Sequence, residues 1–360
     1  MLLRLRKTKS AEDLESLLAV ANELGYRPRF LDRGRRLLEL ERDPARTPGR
    51  PGDRASFEDL ACVEAVIDSS DAPELVDRTE GRADTVVRVG SAAFGGGQVS
   101  LIAGPCAVED ENELLGIARA VKEAGATLLR GGAFKPRTSP YSFHGRGRSA
   151  LCGLAAVKQE VGLPLVTEVL DLRDVEAVAA VADMLQLGSR SMTNAALLTE
   201  AGRAGRPILL KRGLSATARE FLLAAEYVLA AGASQVVLCE RGVRGFDRVT
   251  RNVLDLGMVA HLKTVTHLPV IVDPSHAAGR RDLVLPLARA GLAAGADGLI
   301  VEVHPRPHTV HSDGAQAIDL ETLVEIRRSA EILLSIDGRR LTTNALAPGP
   351  LHARRQEPVA

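Results

Sequence analysis

The chain has 360 residues, of which 45% are hydrophobic, and its 46 Lys and Arg residues balance 46 Asp and Glu residues. A chain of this length fits one large domain beside a smaller module. Its balanced charge gives no overall field that would attract nucleic acid or an anionic membrane. No apolar run approaches the roughly 20 residues that span a bilayer. The start, MLLRLRKTKSAEDLE, lacks the apolar region of a signal peptide. We therefore expect a cytoplasmic protein without nucleic-acid or membrane partners.

The first 70 residues predict a small α/β module. LLRLR is typical of a strand, and SAEDLESLLAVANELGY is typical of a helix that Ser10 caps. Two further short strands, a short helix and a last strand follow, which gives the ferredoxin-like order βαββαβ. We assign residues 1–70 to this domain. Residues 71–98 are assigned to a linker and a Gly-rich hairpin that caps the next domain.

Residues 99–340 change to a regular alternation of short apolar strands and longer helical patterns. Eight consecutive β-then-α units are visible, beginning with VSLIAG and ENELLGIARAVKEAG. That number predicts a (β/α)8 TIM barrel rather than an open doubly wound sheet. No GxGxxG motif follows the first strand, which also argues against a dinucleotide-binding fold. The Pro-rich segment 341–360 is predicted to be disordered.

Ionisable residues stand at the predicted strand ends, where the active sites of TIM barrels form. One group of them combines a thiol, an imidazole and two carboxylates, namely Cys106, His276, Glu302 and Asp313. A mixed sulfur, nitrogen and oxygen set suits Mn, Fe, Co or Zn better than Mg or Ca. The spacing alone also allows a buried thiol, a solvated imidazole and two loop carboxylates without any metal.

A second group at the strand ends consists of cations: Arg130, Lys135, Arg137, Arg190, Lys211 and Arg241. Cations gathered at one barrel mouth repel one another unless anions bind among them. The guanidinium fork matches phosphate and carboxylate oxygens in bidentate fashion. The sequence therefore predicts an enzyme whose substrates carry several negative charges, such as two phosphates.

Several motifs resemble those of the type I 3-deoxy-D-arabino-heptulosonate-7-phosphate (DAHP) synthases, most closely the β subgroup. They are GPCAVE, LRGGAFKPRTSPYSFHG, LLKRG, CERG, DPSHAAGR and VEVHPRPHTVHSDG, within about residues 102–319. The stretch KPRTS distinguishes the DAHP synthases from the related octulosonate synthases, which carry an Asn-Arg-Ser sequence there. The resemblance implies condensation of phosphoenolpyruvate with erythrose 4-phosphate and water, giving DAHP and phosphate. This is the first step of the shikimate pathway to chorismate and the aromatic amino acids.

The resemblance also implies roles for individual residues. The metal ligands would be the four residues of the mixed group, with Lys135, Cys106 and His276 as the catalytic residues. Phosphoenolpyruvate would meet Arg130, Lys135, Arg190, Lys211 and Arg241, with Glu240 nearby. Erythrose 4-phosphate would meet Lys135, Pro136, Arg137, Thr138 and Asp313. Small departures from the family pattern, such as GPCA in place of GPCS, remove none of these side chains.

Several alternatives stay open at this stage. The metal would either polarise the aldehyde oxygen or acidify the attacking water, and Lys135 would either donate a proton or only clamp phosphate. Rival functions are a related phosphoenolpyruvate-dependent sugar-acid synthase that uses another aldehyde phosphate, and a non-catalytic phosphosugar-binding barrel. We expect a homo-oligomer, a dimer or a tetramer. The N-terminal domain resembles ACT-like modules, which implies an aromatic amino acid effector; the alternative is a role in stability or assembly.

Overall fold

A computed structural model describes residues 2–6, 9–30, 37–42, 53–67, 73, 75–78, 82–137, 139–309 and 314–344. The chain divides into two compact units, Met1–Ala83 and Asp84–Ala360. Across the described ranges, no helix has both the length and the apolar character needed to cross a bilayer.

The first unit contains β1 (Leu2–Leu5), α1 (Ala11–Glu23), β2 (Tyr26–Phe30), β3 (Leu37–Arg42), α2 (Asp53–Glu58) and β4 (Val63–Ile67). Its sheet has the order β2-β3-β1-β4. Every neighbouring pair of strands is antiparallel. With the βαββαβ chain order, this is the ferredoxin-like arrangement, which confirms the predicted fold of the N-terminal region.

Local sequence explains how this unit forms. Ser10 caps α1, and its side chain and that of Asp13 each accept the other's backbone N–H in a capping box. Leu17 on the inner face of α1 is fully buried with Leu3 and Phe57 in one apolar cluster. The packing of the helices on one sheet face therefore provides the core of the unit.

The second unit is a closed barrel of eight parallel strands. They are β7 (Gln98–Gly104), β8 (Leu128–Arg130), β9 (Leu165–Glu168), β10 (Met184–Leu187), β11 (Ile208–Lys211), β12 (Val236–Glu240), β13 (Val270–Val272) and β14 (Gly298–Glu302). Pairing of β14 with β7, from Gly298 with Ser100 to Glu302 with Gly104, closes the barrel. The predicted TIM barrel is thereby confirmed.

Helices surround the barrel: α3 (Glu111–Glu123), α4 (Arg148–Val161), α5 (Val175–Val181), α6 (Ala195–Arg203), α7 (Ala218–Ala230), α8 (Leu256–Val265), α9 (Pro274–Ala278), α10 (Val284–Ala293) and α11 (Leu320–Ile336). Each strand is followed by at least one helix, as the sequence pattern predicts. The additional short helix is α9, which follows β13 directly and carries His276.

A hairpin of β5 (Val87–Val89) and β6 (Ala92–Phe94) precedes the barrel. The fully buried ring of Phe94 belongs to the same apolar cluster as Ile102, Val166 and Ile300, which point into the barrel. These side chains fill the part of the barrel interior that lies away from the carboxyl ends of its strands. The opposite end, at the carboxyl ends of the strands, remains open for a site.

The ordered chain continues beyond the start of the tail predicted at 341–360. A strand β15 (Arg340–Leu341) runs parallel to β7. The buried hydroxyls of Thr342 and Ser100 lie 2.7 Å apart, and the Thr342 amide donates to the Val99 carbonyl. The packing of these polar groups is not visible in the local sequence pattern. Residues 345–360 lie outside the described residues, and the domain limits at 70, 98 and 340 stay predictions.

Candidate active site

A cavity of about 480 Å³ lies at the carboxyl ends of the barrel strands. All six cations that the sequence singles out line it, as do Pro136, Cys106 and His276. They come from the ends of six of the eight strands and from the loops that follow them, and closure of the barrel brings these segments to one mouth. Thr138 and Asp313 lie outside the described residues.

The turn after β7 brings Cys106 to this cavity. Gly104 has a φ of +146°, and a Cβ atom there would overlap the carbonyl oxygen of Arg130 on β8. Glycine is therefore required where β7 turns away beside β8. The following Pro105 and Cys106 enter the loop, where the Cys106 thiol contacts the Lys135 ammonium group. The thiolate is the form of cysteine that binds metals.

Three of the four predicted metal ligands lie together. The His276 Nε2 atom is 3.6 Å from Cys106 Sγ and 3.2 Å from Glu302 Oε1, and all three donor atoms lie within 4.8 Å of one another. Ligand atoms about 2.0–2.3 Å from one tetrahedral metal ion would lie roughly 3.3–3.8 Å apart. The donor set and its spacing therefore fit a borderline divalent ion.

Asp273 orients the imidazole of His276. Its Oδ2 atom lies 2.7 Å from His276 Nδ1, and its Oδ1 atom accepts the His276 backbone N–H at the start of α9. This leaves Nε2 to face Cys106 and Glu302. Burial alone would lower the pKa of His276, but Asp273 and Glu302 outweigh it and raise the pKa to about 9. A carboxylate behind a ligating imidazole also fixes its ring orientation.

Glu302 is buried at the end of β14 and uses both carboxylate oxygens. Oε1 faces His276 and Arg130, whose Nη2 atom is 3.4 Å away. Oε2 accepts a 2.6 Å hydrogen bond from the Gln316 amide. Burial would raise the pKa of Glu302, but the positive charges of His276, Arg130 and Lys135 hold it well below its usual range. Glu302 is therefore an anion ready to bind a metal.

Arg130 is a buried cation with unused hydrogen-bonding capacity. Its Nη1 atom is buried, and no hydrogen-bond acceptor for it lies among the described residues. Although burial alone would lower its pKa, the charges of Cys106, Glu302 and Asp273 raise that pKa above its usual value. A buried N–H without an acceptor costs free energy. Since Arg130 lines the cavity, an anionic ligand would satisfy this group.

Two other cations of the cavity, Lys211 and Arg241, interact with Asp273. The ammonium group of Lys211 contacts Asp273, the carboxylate that also holds His276. Burial lowers the pKa of Arg241, and Asp273 offsets part of that effect. Asp273 thus links the cationic wall of the cavity to the metal-ligand cluster.

Glu240 lies behind the cavity wall rather than on it. Its Oε2 atom accepts a 2.8 Å bond from Arg212, and its Oε1 atom accepts the Gly242 backbone N–H at 2.6 Å. Burial raises its pKa, and Arg212 counters this effect. The carboxylate therefore fixes the backbone at Gly242, directly after Arg241, and direct contact between Glu240 and substrate stays a prediction.

Two further arginines in the cavity, Arg244 and Arg251, were not singled out from the sequence. Both lie in the loop after β12, in the stretch RGVRGFDRVTRN. The high density of arginine directly after a barrel strand is the sequence signal that could have identified both residues. Glu168 also lines the cavity, and the Gln186 amide donates to it at 3.2 Å.

Residues 81–334 of the chain match a known family model, described as the DAHP synthetase I family. The chain belongs to this family. A phospho-2-dehydro-3-deoxyheptonate aldolase of Thermotoga maritima is 47% identical over 270 residues, which cover 75% of this chain and 80% of the relative. A 2-dehydro-3-deoxyphosphooctonate aldolase of Syntrophotalea carbinolica is 33% identical, covering 70% of this chain and 95% of that relative.

Solved structures of DAHP synthase agree with this family assignment. The crystal structure of the Thermotoga maritima DAHP synthase is 39% identical to this chain, with a TM-score of 0.75, and the match covers 94% of this chain and 98% of that one. A truncated form of the Thermotoga maritima synthase matches with a TM-score of 0.69 and 42% identity, over 74% of this chain and 98% of that one. The likeness to the longer structure thus includes the region of the first unit.

Proposed function

We propose that this chain is a 3-deoxy-7-phosphoheptulonate synthase, which condenses phosphoenolpyruvate with erythrose 4-phosphate and water to form DAHP and phosphate. The observation that carries the proposal is the juxtaposition of two groups at one barrel mouth. A thiol, imidazole and carboxylate cluster lies at a cavity whose wall holds the predicted cations. The reaction needs both groups, because two polyanions must be held together while an oxygen gains negative charge.

The cations divide between the two substrates. Arg130, Arg190, Lys211 and Arg241, with Lys135, would hold phosphoenolpyruvate. The buried Nη1 of Arg130 supports this assignment, since it has an N–H to donate to an anion. Erythrose 4-phosphate would meet the stretch from Lys135 to Thr138, with Asp313 nearby. Ion pairs with the buried cations of this cavity are stronger than in water, so the cations offset the repulsion between the two substrates.

Cys106, His276 and Glu302, together with Asp313, would hold the divalent ion. Their mixed donor atoms favour Mn, Fe, Co or Zn. When bound, such an ion polarises an oxygen ligand or lowers the pKa of a water molecule. The contact of Asp273 with His276 Nδ1 keeps Nε2 directed to the ion.

Lys135 would deliver the proton that the reaction requires. Carbon 3 of phosphoenolpyruvate forms a bond to the aldehyde carbon, water adds at carbon 2, and phosphate then leaves. The aldehyde oxygen becomes a hydroxyl and must gain a proton. The ammonium group of Lys135 contacts Cys106 and lines the cavity, so a proton source stands where the aldehyde would bind.

The stretch KPRTS supports the four-carbon aldehyde over the five-carbon substrate of octulosonate synthases. The test is phosphate release from phosphoenolpyruvate with a panel of four- and five-carbon aldehyde phosphates. It is run on chelator-treated enzyme and again after Mn, Fe, Co or Zn is restored. We expect turnover with erythrose 4-phosphate only after metal is restored. Turnover with a five-carbon aldehyde alone would favour the sugar-acid synthase, and none at all would favour a binding protein.

We also propose that the N-terminal region is regulatory and that the enzyme is a dimer or tetramer. The support for regulation is the ferredoxin-like topology of the first unit and its separate apolar core. An aromatic amino acid would be the effector, as an end product of the pathway. It would act by stabilising one of two arrangements of the protein.

A further inference from the structure

Gln316 is a buried amide that joins a predicted metal ligand to the substrate cavity. It is 2% exposed. Its Nε2 atom donates a 2.6 Å hydrogen bond to Glu302 Oε2. Its Oε1 atom accepts a 3.1 Å bond from Nη1 of Arg251, which lines the cavity. Gln316 lies just outside the family motif VEVHPRPHTVHSDG, which ends at Gly314.

The orientation of this amide is fixed by chemistry. A guanidinium group only donates hydrogen bonds, so the oxygen of Gln316 must face Arg251. Its NH2 group must then face Glu302, which is the partner that can accept. The assignment of oxygen and nitrogen is therefore unambiguous, although the two atoms look alike in most structures.

The backbone that carries Gln316 is held firmly. Arg281 donates three hydrogen bonds to carbonyls of this loop, at 3.0, 2.9 and 2.6 Å, namely those of Gly314, Ala315 and Ala317. The Ile318 amide donates to the Glu302 carbonyl at 2.9 Å. Because these bonds fix the loop against β14 and the segment after α9, Gln316 cannot move away from Glu302 without breaking several of them.

We infer that Gln316 is a positioning residue that holds Glu302 in the orientation needed for metal binding. By occupying Oε2, it leaves Oε1 to face His276, 3.2 Å away. Glu302 is thereby presented as a ligand through one oxygen. The inference rests on the proposed metal site, and it assigns to Gln316 no contact with substrate or with the reacting atoms. Outer partners of this kind commonly change metal affinity 10–100-fold when they are removed.

The test is metal affinity of the full chain, measured for Zn²⁺ and Co²⁺ by competition with a chromophoric chelator. Gln316→Met keeps the length and volume of the side chain but removes both hydrogen bonds. We expect its affinity to fall by about 10–100-fold. The absorption spectrum of the Co²⁺-loaded variant should change, because the carboxylate ligand is no longer held in one orientation. If Gln316→Met does not fold, Gln316→Asn, which keeps the amide but loses the reach, is measured in the same way.

The matched control is Ser329→Ala. It removes the part-buried hydrogen bond that the Ser329 hydroxyl on α11 accepts from Arg289, away from the cavity. Metal affinity and the Co²⁺ spectrum should match those of the wild type, which separates positioning from a general loss of stability.

The outcomes separate this inference from the proposed function. If wild-type protein binds no metal, or if Cys106→Ala binds it as well as the wild type, the proposed metal site is wrong. If the wild type binds metal, Cys106→Ala does not, and Gln316→Met matches the wild type in affinity and spectrum, the inference alone is overturned.

Discussion

His276 Nε2 lies 3.2 Å from Glu302 Oε1, although the two residues belong to different βα units of the barrel. His276 stands on α9 after β13, and Glu302 ends β14. Asp273 holds the far side of the imidazole, and Gln316 holds the far side of the carboxylate. Each of the two side chains is therefore held through one polar atom, while its other polar atom, His276 Nε2 or Glu302 Oε1, faces the predicted metal site. Such preorganisation lowers the entropy cost of binding a metal ion.

The thiolate is the ligand expected to be hardest to replace. We predict that Cys106→Ala abolishes both metal binding and turnover while the barrel stays folded, since loss of one side chain in a loop removes no strand contact. Metal content of the purified protein, with circular dichroism to monitor folding, checks this. Cys152→Ala, which alters an exposed thiol on α4, is the control. Near-normal metal content in Cys106→Ala would remove this residue from the site.

Arg137 is predicted to select the aldehyde substrate. We expect Arg137→Ala to raise KM for erythrose 4-phosphate far more than KM for phosphoenolpyruvate. A lost charge-assisted hydrogen bond costs roughly 1.5–3 kcal/mol, or about 10–150-fold. Arg146→Ala, in the same loop but outside the cavity lining, should leave both constants unchanged. An effect mainly on KM for phosphoenolpyruvate would mean that the two substrate assignments must be exchanged.

The N-terminal region is predicted to regulate the barrel without being needed for turnover. We expect deletion of residues 1–70 to preserve activity and to abolish inhibition by Tyr or Phe. Because the first unit has an apolar core of its own, we expect the second unit to stay folded without it. Rates are measured with and without each aromatic amino acid, for the full chain and for the shortened one. If the full chain ignores Tyr, Phe, Trp, chorismate and prephenate alike, the region has a role in stability or assembly instead.

Asp319 is predicted to stabilise the last barrel helix in a pH-dependent way. Its side chain caps α11 by accepting the Thr322 backbone N–H at 2.8 Å, and the backbone and side-chain hydrogen bonds of Thr322 lower the pKa of Asp319. Because the folded pKa is depressed, the stabilisation is complete above the unfolded pKa of about 3.9 and is lost as pH falls through the lower folded pKa.

Urea unfolding at several pH values checks this prediction. At neutral pH, Asp319→Ala should lower the free energy of unfolding by about 1 kcal/mol. Asp319→Asn should keep most of the cap but lose the part of the pH dependence that Asp319 contributes. Equal pH dependence in the wild type and Asp319→Asn would show that this carboxylate does not contribute.

Much of the architecture was open to prediction because it depends on local patterns. The eight strand-and-helix units, the hairpin before them and the Ser10 cap follow from hydrophobic periodicity and capping residues that act over a few positions. Six of the cations that line the cavity were also predictable, since barrel topology requires strand ends to meet at one mouth. The family motifs then favoured one reaction, the condensation of phosphoenolpyruvate with erythrose 4-phosphate, over the rival functions.

Contacts between distant segments could not be predicted in this way. Neither the pairing of Thr342 with Ser100 nor the chain from Arg251 through Gln316 to Glu302 has a signature in the sequence, because each depends on side chains that only packing brings together. The position of Glu240 behind the cavity wall, rather than on it, depends on its buried bond to Arg212 in the same way. The sequence by itself determined the barrel and which residue types reach its mouth, through short-range periodicity and strand-end spacing. Only the tertiary structure decided which side chains face the cavity and which ones hold them, since hydrogen-bond geometry between loops far apart in the chain is set by closure of the barrel.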